Sequence, residues 1–192
     1  MYYGIYKNIS HGAWKCLVDF NITSLPVDVL KIARSAGIRV IKNSSVYDLM
    51  PGEHGKSYFN GYCWTIIYND EDPVEICRFT IAHELGHFFL GHDLTYSRFN
   101  NVRKFGCKPT EEQQADSFAI RLLAPACILN DLRVSSYGDI EKYCRIPSSV
   151  AKKRYERMKL LYKRDSFFTD PIEEQVYHNF SKYLYLAKRK IK

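Results

Sequence analysis

Five consecutive residues, His83-Glu84-Leu85-Gly86-His87, set two imidazoles around a carboxylate in the order H-E-x-x-H. Four helical residues turn the chain by about 400°, so the two rings lie one turn apart on nearly the same face and can share one metal ion. Glu84 projects beside them, placed to hydrogen-bond a metal-bound water without ligating the ion. A zinc ion lowers the pKa of such a water toward about 7, and a neighbouring carboxylate can take its proton as it attacks a carbonyl carbon. His83 and His87 are thus expected on a metal, with Glu84 as the catalytic base.

A third protein donor is needed, and three candidates compete. A longer pattern with Gly and His three and six residues after His87 is not met, because the chain has Leu90 and Asp93 there. His92 lies about 140° round a helix from His87, and Gly91 is expected to end the helix before it. The stretch Glu112-Gln113-Gln114-Ala115-Asp116 puts two carboxylates four residues apart, on one helix face. Glu112 is the preferred ligand, and Asp116 is expected to accept the outer N–H of a ligand histidine and so fix its tautomer. Glu111 lies one position off that face. Zinc is preferred for a two-His, one-Glu set, at one ion per chain, although Mn2+ or Fe2+ can occupy such donors.

The elements that must position these groups follow from the pattern. Residues 24–36 read as a helix, with Ser24 as cap, Pro26 in the first turn and Gly37 as stop. Residues 38–41 read as a short strand, and 58–68, rich in aromatic and β-branched residues, as one or two strands around Gly61. Residues 73–90 carry the H-E-x-x-H as the longest helical signal of the first half, closed by Gly91. A loop is expected over 93–108. Thr110 then opens a helix that ends before Pro125, and basic helices follow at about 138–145, 148–164 and 171–189.

Two blocks resemble a known family. Arg78-Phe79-Thr80-Ile81-Ala82-His83-Glu84-Leu85-Gly86-His87 resembles the R-F-T-x-A-H-E-x-G-H block of the ImmA/IrrE metallopeptidases. Glu112-Gln113-Gln114-Ala115-Asp116-Ser117-Phe118-Ala119, followed by Leu122-Leu123-Ala124-Pro125, resembles the E-x-x-A-N-x-F-A and L-L-M-P block of the same family. Asp116 stands where Asn is usual, which keeps the hydrogen bond to a histidine, and Ala124 stands where Met is usual. The resemblance spans roughly residues 24–164. It implies a zincin-like domain with His83, His87 and Glu112 on zinc and Glu84 as base. It also implies a substrate class, since characterised members cleave helix-turn-helix repressors and release transcription, often in mobile elements or stress responses.

The fold class expected is α+β: a mostly helical zincin-like domain over 1–137, with a small sheet next to the H-E-x-x-H helix, then a basic helical region over 138–192. The net charge of +7 sits entirely in that second region. Residues 138–192 hold 14 Lys and Arg against 7 acids, while residues 1–137 balance 14 against 14. Residues 139–160 have a helix-turn-helix flavour. Asp139 caps the first helix, Ile146-Pro147 makes the turn and Ser148 or Ser149 caps the second. DNA contact there requires Arg145, Lys152, Lys153 and Arg154 to face phosphates. Packing or docking of the protein substrate is preferred to nucleic acid.

The strand ahead of the metal helix is expected to be a sheet edge, where a substrate segment adds by backbone pairing along Thr65, Ile66, Ile67 and Tyr68. Arg78, Tyr96 and His92 are the sequence neighbours available as oxyanion donors, with no basis for choosing among them. Six scattered cysteines, with no C-x-x-C, fit small buried hydrophobes better than a zinc knuckle or disulfide frame. No apolar run approaches the roughly 20 residues of a membrane span. The first residues lack the basic start and apolar stretch of a secretory signal, so a cytoplasmic protein without membrane partners is expected. The function expected is a zinc-dependent endopeptidase acting on a regulatory protein. The alternative is a DNA-binding or partner-binding regulator, including a toxin-antitoxin-like component, with a non-catalytic metal site.

Overall fold

A computed structural model describes residues 4–6, 8–92 and 109–191. Eight helices among them are α1 (Ile9–Asp19), α2 (Val29–Ser35), α3 (Val74–Leu90), α4 (Pro109–Leu123), α5 (Ala126–Asp131), α6 (Tyr137–Cys144), α7 (Ser148–Arg164) and α8 (Pro171–Ile191). The strands are β1 (Arg39–Lys42), β2 (Gly55–Phe59) and β3 (Trp64–Tyr68). The result is the mostly helical α+β arrangement expected, with its sheet beside α3. The expected loop over 93–108, including Asp93 and Tyr96, lies outside the described residues.

The helix expected over 24–36 begins later than Ser24. Asp28 is its cap, accepting from the Lys31 N–H, and Leu25, Val27 and Val29 are buried in alternation with exposed Pro26 and Asp28. That two-residue period belongs to extended chain, so Pro26 is not in a helical turn. Helix α1 was not read from the sequence. Its buried face is the narrow set Gly12, Ala13, Cys16 and Leu17, and Tyr6 packs where a Gly12 side chain would be.

The sheet order is β1-β3-β2, with β1 parallel and β2 antiparallel to β3. This corrects the edge-strand expectation. Thr65, Ile66, Ile67 and Tyr68 pair with Arg39 to Lys42 on one side and with Gly55 to Tyr58 on the other. A central strand has spent its backbone hydrogen bonds and cannot accept a further one; the sheet's edges are β1 and β2. One face of the sheet lies on α3. Trp64 of β3 stacks edge-on against Phe88, and Gly55 of β2 sits where any Cβ would run into Thr80.

Helix α3 is buried almost all round from Thr80 to Phe89, so its imidazoles are carried inward with it. Its main neighbour is α4, and the two approach closely. A Cβ on Gly86 would meet Ala115 Cα and carbonyl oxygen at 3.1 Å. Glycine in a helix interior costs about 1 kcal/mol relative to alanine; here it lets two backbones touch, beside His87 on α3 and beside Asp116 on α4. The hydrophobic core continues without a break from Tyr6 to Leu184, α1 packing on both α4 and α8.

Two arginines are spent on helix ends, one of them, Arg154, from the set considered for phosphate contact. Arg154 on α7 is 4% exposed and donates from Nε to the Ala124 carbonyl, just past the end of α4, at 2.7 Å. Burial, then the nearby Arg121, pulls its pKa down to about 10, which still leaves it charged at neutral pH. Arg78 on α3 donates to the carbonyls of Val27, Cys144 and Arg145, the last two closing α6. Cations at helix C-termini meet orphan carbonyls and the negative end of the dipole. The α6 and α7 caps also differ from expectation. Ser136 caps α6 with Asp139 as its capping-box partner, and Pro147 precedes α7 without a side-chain cap.

Candidate metal centre

His83 Nε2 and His87 Nε2 lie 2.9 Å apart, and Glu112 brings Oε2 to 3.1 Å from the first and Oε1 to 3.5 Å from the second. A tetrahedral zinc with bonds of about 2.0–2.1 Å requires donor separations of about 3.3 Å, which these values bracket. Three donors of the right chemistry therefore converge, and together they could hold a metal ion. Glu112 is the acid that arrives; Glu111 is not in the cluster. Asp116 Oδ1 accepts from His83 Nδ1 at 2.9 Å.

Ordering of His83 and His87 begins with α3, whose burial leaves His87 only 4% exposed. Ordering of the acids begins with α4, where Glu112 and Asp116 are neighbours one turn apart. Their side chains remain 48% and 43% exposed, so the centre opens toward solvent on the α4 side. Glu84 is 4% exposed and accepts a 2.6 Å hydrogen bond from the Ser57 hydroxyl of β2 at Oε2. Ser57 went unread in the sequence because the strand signal began at residue 58. The one available hint was polar Ser57 two residues from Gly55, on the sheet face that meets α3.

The structure separates the other sequence neighbours. Arg78 faces α6 rather than the cluster, so it is not an oxyanion donor. Tyr96 lies outside the described residues. His92 is buried behind His87, its Nδ1 2.9 Å from His87 Nδ1 and its Nε2 2.9 Å from Gln114 Oε1. Gly91 explains the position: at φ 74° it is the left-handed cap of α3, and it folds the chain back so that the His92 N–H reaches the His87 carbonyl. Gln114 was likewise missed, sitting unmarked between two acids.

His83 and Glu112 each favour the other's charged form. Burial works against charge on His83, but the hydrogen bonds it donates to Asp116 and Glu112 outweigh it and raise its pKa from 6.5 to about 9. Hydrogen bonds from His83, then His87, hold the Glu112 carboxyl far below its ordinary range. The folded state therefore binds the His83 proton more tightly than the unfolded chain does. Its stabilising contribution is complete below pH 6.5 and is lost as pH rises through about 9. The chelator-treated protein should melt at a lower temperature at pH 9.5 than at pH 6.5, and metal loading should remove that loss; a flat melting profile without metal would contradict the paired cluster.

A buried H-E-x-x-H helix beside a small sheet, with an acid from the next helix completing the cluster, defines a zincin-like metallopeptidase domain. The peptidase M78 model, described as the IrrE N-terminal-like domain, matches residues 33–156, and the chain belongs to that family. No individually curated protein matches the sequence. Among the described residues no helix is long and apolar enough to cross a membrane.

Proposed function

We propose that the chain is a zinc-dependent endopeptidase that hydrolyses a peptide bond in a regulatory protein, a helix-turn-helix transcriptional repressor being the preferred substrate class. The observation that carries the chemistry is the convergence of His83, His87 and Glu112 next to a buried carboxylate, Glu84, held by Ser57. A zinc ion held by the first three would polarise the scissile carbonyl and acidify a water. Glu84 would take a proton from the attacking water and pass it to the leaving amine, as base and then as acid. Ser57 fixes the orientation of the carboxylate, and Asp116 holds the His83 ring. With β3 enclosed, the edge that an extended substrate would use is the one beside Glu84, β2, whose Ser57 already touches it. A protein substrate follows from the peptidase family; the repressor class rests on the ImmA/IrrE resemblance, and a cytoplasmic location on the sequence alone.

The nucleic-acid alternative has less to work with than the charge count suggests. Arg154 is buried, Arg145 lies 3.8 Å from Glu75, and Lys152 sits over the Tyr137 ring. Co-expression with a candidate repressor, followed by mass spectrometry of the repressor, tests the reading. A discrete cut that disappears when metal is withheld supports it. An intact repressor that nevertheless forms a stable complex with the chain would favour the partner-binding alternative.

A further inference from the structure

We propose that His92, backed by Gln114, is a positioning residue of the metal centre: the pair fixes His87 in the tautomer that turns its Nε2 lone pair toward the ion. This rests on the metal-centre reading above and extends it behind the donors. The two rings of His87 and His92 meet nitrogen to nitrogen, Nδ1 to Nδ1, at 2.9 Å. In such a pair one nitrogen donates and the other accepts. His87 Nε2 faces His83 and Glu112 and must be unprotonated to bind a metal. Its proton then resides on Nδ1 and is donated to His92 Nδ1. A neutral His92 accepting there carries its own proton on Nε2, where the Gln114 amide oxygen accepts it at 2.9 Å. One assignment of protons satisfies all three groups in the direction that metal binding requires.

The two metal histidines thus have unlike support. His83 leans on a carboxylate, Asp116, and His87 on a neutral chain ending in an amide. A phenylalanine at 92 would fill similar space but leave the buried His87 Nδ1–H without an acceptor, at the cost of an unmade hydrogen bond. Gln114 offers the gentler handle because it lies at the partly exposed end of the chain of bonds.

The test is zinc affinity, measured by competition with a chromophoric chelator, for wild type, His92→Phe, His92→Gln, Gln114→Leu and Gln114→Glu. Contacts behind metal histidines are worth about 10–100-fold in affinity. A loss in that range is expected for His92→Phe, and a smaller one for Gln114→Leu. His92→Gln, whose amide oxygen can take the His87 proton, should recover most of the loss, and Gln114→Glu should bind zinc more tightly than wild type. Long-range 1H–15N correlations of the zinc-loaded wild-type protein read the tautomers directly and do not depend on any variant folding. His87 protonated at Nδ1 and His92 at Nε2 are expected, and His92 protonated at Nδ1 overturns the proposal. Zinc uptake by wild type with unchanged affinity in every variant overturns the relay alone, whereas no uptake by wild type overturns the metal-centre reading and the relay with it.

Discussion

Glu84→Gln should lower substrate cleavage by about 10²–10⁴-fold while leaving metal content at about one ion per chain. The amide has nearly the shape of the carboxylate, and its oxygen can accept the same 2.6 Å hydrogen bond from Ser57. Folding should therefore survive. What the amide lacks is proton affinity: it can neither take the proton of water nor return it to the leaving nitrogen. Rate and metal content must be read on the same preparation. Cleavage at the wild-type rate with metal in place would remove Glu84 from the mechanism, and loss of metal together with rate would make it a structural support of the centre instead.

Replacement of Glu112 by alanine should abolish metal retention, an effect larger than the 10–100-fold that outer contacts cost. It removes one of three protein donors and leaves the two Nε2 atoms of His83 and His87 facing each other at 2.9 Å with no carboxylate between them. The companion variant Glu111→Ala should keep its metal. Both acids lie in the first turn of α4, where a negative charge favours the helix, so the two substitutions perturb the macrodipole alike. Elemental analysis after dialysis against a weak chelator distinguishes them. Equal retention in both variants would send the search for a third donor elsewhere in the chain.

The metal motif was legible because its chemistry is local. H-E-x-x-H on one helix and E-x-x-x-D on the next are fixed by helical periodicity, and Gly91 and Pro125 mark where those helices stop. The contacts behind the donors were not legible, since they depend on how separate elements meet. Ser57 reaches Glu84 through the packing of β2 on α3, and His92 returns to His87 through the left-handed turn at Gly91. Strand order failed for the same reason. The strand nearest the metal helix in sequence looks like an edge, but the parallel partner β1 comes from more than twenty residues upstream. Charge misled where burial decides: Arg154 counts toward a basic surface in a sum and acts as a cap in the fold.

Donors drawn from two helices have a consequence for the life of the protein outside any reaction. An ion shared by His83, His87 and Glu112 clamps α3 to α4, and an unfolded chain cannot hold those three groups together. Binding to the native state alone adds RT ln(1 + [L]/Kd), about 2.7 kcal/mol at a free-ion level one hundred times the dissociation constant. The folded fraction then follows the supply of free ion in its surroundings. On the proposed reading, a chain deprived of metal would be both inactive and easier for proteases to open, so scarcity would lower the amount of folded protein along with its activity.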